Sequence, residues 1–263
     1  MNSHLTRGIK EIIEECPAVG TILERYGIGC VPCAVGTCKL EDVVKIHALE
    51  PDDEAALMAQ IAQAIEAGPD AKPPPVADRP GPVVRRVITY SPPMQKLVDE
   101  HVRIKRLLAI VPTLVQNTWI EGTVDAGLMR DVLDFIRGYA DRFHHMKEED
   151  ILFDYTDRGA DIIQVILDDH RRARAFVAAA AEAIEVDDIA VLCKSLTGHR
   201  ELLTEHIDKE DQVLYPYIDR DLSADQIAEI AHRFGQAEEE TEADVPERYE
   251  RFLIELESRY GAK

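Results

Sequence analysis

Phe143-His144-His145-Met146-Lys147-Glu148-Glu149-Asp150-Ile151-Leu152-Phe153 decides how this chain is read. It contains no helix breaker and apolar residues flank it on both sides, which predicts the middle of a long helix. Positions four apart on a helix lie on one face, roughly 5–6 Å apart at Cβ. His144 and Glu148 therefore project together, and His145 and Glu149 form a second pair turned by about 100°. An imidazole and a carboxylate on one face can share a metal ion, although solvated His and Glu are ordinary on helices.

The His-x-x-x-Glu spacing recurs at His206 and Glu210, ahead of the apolar run Val213-Leu214-Tyr215 that ends at Pro216. His101 and His170 stand singly in two further segments of helical pattern. Four helical segments folded into a bundle would bring together four imidazoles and two carboxylates: His101, His144, Glu148, His170, His206 and Glu210. Neutral imidazole with carboxylate, and no thiolate, suits iron, manganese or zinc. Six such donors exceed one ordinary site and match two metal ions bridged by both carboxylates, with an oxo or hydroxo bridge and room for dioxygen or nitric oxide.

The 263 residues allow one large domain or a main domain with a smaller one. A formal net charge of −20 argues against nucleic acid or an anionic membrane as partner. No apolar run approaches the ~20 residues of a membrane span, and the first residues lack the order of a secretory signal. Five cysteines, three of them clustered, fit a reducing cytoplasm better than a disulfide framework.

The expected fold is all-α. Residues 1–67 read as a small helical module and 68–92 as a proline-rich linker. Residues 93–220 read as an up-down-up-down four-helix bundle, and 221–263 as two further helices that pack on its outside and offer a dimer surface. The bundle helices are expected over about 93–116, 125–156, 160–183 and 188–218, with Ser223 and Gln226 forming a capping box before the next helix. In the module, Cys30-Val31-Pro32-Cys33 can cycle between dithiol and disulfide or supply metal ligands, with Cys38 and Cys16 as further candidates. Beside the six ligands, His145 and Glu149 are expected in supporting or packing roles. His199, about 10.5 Å along the axis from His206 at 1.5 Å per residue, is expected to be a buried polar partner for Arg174.

Gly27 to Cys33, with the segment Lys39 to Glu50, resembles the small redox-disulfide domain associated with hybrid-cluster proteins. In placement it is also similar to the cysteine module of iron–sulfur cluster repair proteins, whose cysteines are adjacent where these are separated by two residues. Residues 93–220 resemble the hemerythrin-like (HHE) cation-binding domain through Glu100-His101, His144-x-x-x-Glu148, His170, and His206-x-x-x-Glu210 before Val-Leu-Tyr-Pro. That resemblance implies a non-haem di-iron centre with both carboxylates bridging. Dioxygen-carrying hemerythrins have a further His one turn after the third-helix ligand. Arg174 stands there in this chain, so the ligand set looks more like that of the repair proteins. Three functions stay open: repair of damaged iron–sulfur proteins under oxidative or nitrosative stress, sensing or binding of dioxygen or nitric oxide, and reduction of nitric oxide or peroxide with electrons from Cys30 and Cys33.

Overall fold

The computed structural model describes residues 2–28, 39–41, 43, 47, 49, 51–73, 89–240 and 245–261. Cys30, Cys33 and Cys38 lie outside the described residues, as does most of the proline-rich segment. The chain divides into two compact units, Met1–Thr89 with Gln212–Tyr217, and Tyr90–Asp211 with Ile218–Lys263. The described residues form helices and no strand, with one isolated bridge between Gly8 and Lys39.

The first unit contains α1 (Asn2–Leu5), α2 (Ile9–Glu15), α3 (Pro17–Arg25) and α4 (Pro51–Ala67). Pro17 opens α3 at the one helical position where its missing N–H costs nothing. Ile9, Ile12, Val19, Ile22, Leu23, Leu57 and Ile61 form the core of this unit. Cys16 is a buried free thiol whose Sγ lies 3.5 Å from the Ala64 carbonyl oxygen, so it packs rather than pairs.

The second unit holds the bundle. Its first helix, α5 (Pro92–Glu121), ends at Gly122, whose φ of 67° suits glycine. The second run begins as α6 (Ala126–Phe135), capped by Asp125, whose side chain accepts a hydrogen bond from Leu128 N at 3.0 Å. It passes without a break into a π-helical stretch, Ile136–His145, and then into α7 (Met146–Asp150). The helix expected to run through Phe153 stops at Asp150: Ile151 leaves helical geometry and Leu152–Tyr155 is a short 3-10 turn. The third is α8 (Asp161–Glu185), and the fourth α9 (Ile189–Lys209), capped by Asp188. A second π-helical turn, Glu210–Leu214, precedes α10 (Tyr215–Asp221). The few residues joining α5 to α6 and α8 to α9 make sequence neighbours antiparallel. Ile104, Leu107, Val111, Phe135, Tyr139, Val177, Leu196 and Leu203 belong to the common core.

Two further helices, α11 (Ala224–Glu240) and α12 (Val245–Tyr260), belong to the same unit as the bundle. The Ser223–Gln226 capping box is present, with Gln226 N donating to Ser223 Oγ at 3.3 Å and Ser223 N to Gln226 Oε1 at 2.9 Å. Helix α12 is held by Arg106, which donates to Glu250 at 2.6 Å and to Glu257 at 2.7 Å. Tyr249 packs so close to Gly138 that a Cβ there would lie 1.8 Å from the phenol oxygen.

Candidate metal centre

All six residues singled out by spacing are buried, and so is His145. They fall into two groups whose ligand atoms lie within 4.8 Å of one another: His101, His144 and Glu210, and His145, Glu148, His170 and His206. Both groups lie inside the second unit. His206 and Glu210 meet as their spacing requires, Nε2 to Oε1 at 3.0 Å. His144 and Glu148 do not share a group. Successive helical positions diverge by about 100°, and that divergence aims His144 at one group and His145 at the other.

Glu210 links the two halves. Its Oε2 is 3.2 Å from His101 Nε2, while its Oε1 faces His206 Nε2 and, at 3.9 Å, His170 Nε2. Glu148 Oε2 lies 3.4 Å from His170 Nε2. The rings are tightly gathered, with His145 stacked on His170 at 3.9 Å and His101 tilted against His144 at 4.5 Å. The π-helical stretches begin or end at these residues: one closes on His144 and His145, the other opens at Glu210. Such turns are rare and occur often at functional sites.

Three of the five imidazoles have a carboxylate within hydrogen-bond distance of Nδ1, and the other two have one slightly farther away. Asp211 lies 2.6 Å from His101 Nδ1, Glu100 2.8 Å from His144, and Glu149 2.7 Å from His170. Asp141 and Asp169 stand 3.6 Å from His145 and His206. Cations back these acids: Lys105 on Asp211, Lys147 on Glu100, Lys209 on Asp169, and Arg174 on both Asp141 and Glu149. A carboxylate at Nδ1 fixes the tautomer and turns the Nε2 lone pair inward, the arrangement that orients metal-binding histidines.

Electrostatics divide the rings: against burial, neighbouring carboxylates push His170 well above and His206 above the ordinary imidazole range. Burial pushes His144 well down, and burial with the neighbouring His170 takes His145 to about 3, so both rings stay neutral and able to donate a lone pair. Burial also opposes protonation of His101, but the hydrogen bond with Asp211 and the nearby Glu210 carboxylate outweigh it and raise the ring to about 9. Burial works to raise Glu149, yet His170 and Arg174 hold it at about 2. Glu148 is pushed up by burial and by Glu210, while Glu210 is held low, against its burial, by His206 and His101. Two carboxylates enclosed together need positive charge between them. His144 Nε2 and both Glu210 oxygens are buried and have no hydrogen-bond partner. Orphaned lone pairs on imidazole and carboxylate, facing one another, fit a metal ion better than any hydrogen-bonded network.

Glu149 supports His170, as expected of a residue beside the ligands. His145, expected in a supporting role, stands inside the second group, so five imidazoles converge rather than four. His199 does not partner Arg174, whose guanidinium is taken by Asp141 and Glu149. His199 instead lines a cleft with His145. The supports Asp141, Asp169 and Asp211 were not distinguished from surface acids by sequence, because two of their three pairings join separate helical runs; Glu100 was named through the family resemblance alone.

Residues 93–218 match the hemerythrin HHE cation binding domain, which ties this part of the chain to metal-binding modules. The chain is also 24% identical over 216 residues, 79% of its length and 80% of theirs, to uncharacterized proteins of Mycobacterium bovis and of two Mycobacterium tuberculosis strains. No solved structure matches it significantly. No helix among the described residues is long and apolar enough to cross a membrane.

Proposed function

We propose that the bundle holds two iron ions and that the protein acts on dioxygen or nitric oxide in oxidative or nitrosative stress, repair of iron–sulfur proteins included. The observation that carries this is Glu210, one buried carboxylate with an oxygen toward each of two histidine groups. His101 and His144 would hold one ion, and His145, His170, His206 and Glu148 the other, with Glu210 between them. The donor set suits iron, manganese or zinc alike, and the match of residues 93–218 to the hemerythrin HHE cation binding domain favours iron. Bound as a pair, two irons supply electron exchange and an open position for a small exogenous ligand. The chain's own part is to keep His144 and His145 neutral, to fix His101, His144 and His170 through their Nδ1 carboxylates, and to bury the pair from water.

The unequal sharing of imidazoles, two against three, supports an open position on the His101–His144 side. Metal analysis with an optical spectrum of the purified protein tests the reading. Two irons per chain and the near-ultraviolet bands of an oxo-bridged diferric pair are expected; a preparation that binds only zinc overturns it. The spacing of Cys30 and Cys33, which suits a dithiol, favours a second reading in which they deliver electrons for reduction of nitric oxide or peroxide. Turnover with a reductant that persists unchanged in Cys30→Ser/Cys33→Ser removes that role. The cysteine usage and the absence of a span among the described helices support a cytoplasmic location.

A further inference from the structure

A cleft of about 330 Å³ opens beside the centre, walled by the Ile136–His145 stretch, α8 and α9. One water needs on the order of 10–15 Å³, and pockets for small organic ligands begin at roughly 300 Å³. The space is therefore far larger than a diatomic gas requires. Its walls are apolar, with Ile136, Ala140, Ala173 and Val177 lining it. His199 and His145 also face it. His199 is 3% exposed, and its ring makes no hydrogen bond among the described residues. A buried imidazole with an unused polar atom is a binding point for whatever enters.

Three of the four exposed lining residues are arginines, the fourth being Ala178. Arg137 and Arg142 line the cleft, are exposed, and make no ion pair among the described residues, whereas Arg174 beside them is committed to Asp141 and Glu149. Two uncommitted guanidiniums at an apolar cleft stand out in a chain with a net charge of −20. Guanidinium binds carboxylate in a paired, directional way.

We propose that this cleft binds a small organic anion with an apolar body, of the medium-chain carboxylate class, its head on Arg137 and Arg142, its chain along Ala140 and Val177, and its far end against His199. The occupant also touches Asp141, which stands at His145 Nδ1, so it bears on one imidazole of the centre. Binding itself does not depend on the iron reading; only that last consequence rests on it.

Isothermal titration of the full chain with hexanoate, hexanol and acetate tests this, with metal content measured on the same samples. Saturable one-to-one binding of hexanoate is expected, about tenfold or more tighter than hexanol, with no measurable binding of acetate. Arg137→Gln/Arg142→Gln should erase the preference for acid over alcohol, and Ala140→Leu should abolish binding by filling the cleft. A terminally hydroxylated hexanoate should bind more tightly than hexanoate, and His199→Phe should remove that gain. Absence of saturable hexanoate binding, or binding unchanged in the arginine double variant, overturns the proposal; because both arginines are exposed, that variant tests it even if Ala140→Leu fails to fold. Hexanoate binding without two bound metals would leave the cleft standing and remove the di-iron reading; two metals without hexanoate binding would do the reverse.

Discussion

Replacing Glu210 by Gln separates a bridging ligand from a simple ion-pair partner. The side chain is fully buried, with its two oxygens 3.0 Å from His206 and 3.2 Å from His101. Gln keeps the shape but cannot offer an anionic oxygen to each group. On the di-iron proposal, free iron(II) at about 100 times its dissociation constant should stabilise the wild-type fold by about 2.7 kcal/mol per site. For a domain of this size that raises Tm by roughly 5–10 °C per site. The variant should lose at least half of this metal-dependent rise and retain one iron or fewer per chain. The assay is anaerobic thermal melting with iron(II) and with chelator, alongside iron analysis. If Glu210 served only as a counter-charge for histidines, the variant would melt lower by the same amount in both conditions. An unchanged iron-dependent rise with two irons retained refutes the bridging role.

Other perturbations follow from the same geometry. Glu100→Gln weakens the hold on His144 and should lower iron affinity about 10–100-fold, measured by competition with a chelator. His145→Gln should remove bound metal and alter the optical spectrum, whereas His199→Gln should leave the metal content at wild-type level. Lys147 is fully buried between Glu100 and Glu238, so Lys147→Met strands buried charge and should destabilise the fold by about 3–5 kcal/mol in chemical denaturation. Gly138→Ala places a methyl against the Tyr249 phenol and should cost about 1–3 kcal/mol, with Tyr249→Phe restoring part of the loss.

The bundle was legible in the sequence because its signals are local. Apolar residues recur at helical spacing through α5, α8 and α9, and Asp125, Asp188 and Ser223 mark where helices begin. The His206–Glu210 pair is equally local, and its four-residue spacing gives the contact directly. The role of His145 was not legible. Two adjacent histidines ordinarily diverge, one inward and one outward, and only a centre wide enough to span that divergence uses both. The supporting acids were hidden for another reason. Asp211 reaches His101 and Asp169 reaches His206 from different helices, and no periodicity along one stretch of sequence encodes such pairings. The π-helical stretches also escape a reading based on α-helical period, since the residues that form them are ordinary helix formers.

X-ray absorption at the iron edge of the purified protein tests the central claim most directly. A pair of irons held by these side chains gives a nitrogen and oxygen ligand shell rich in imidazole scattering, with iron–iron scattering beyond it. A shell containing sulfur, or one with no second iron, contradicts it.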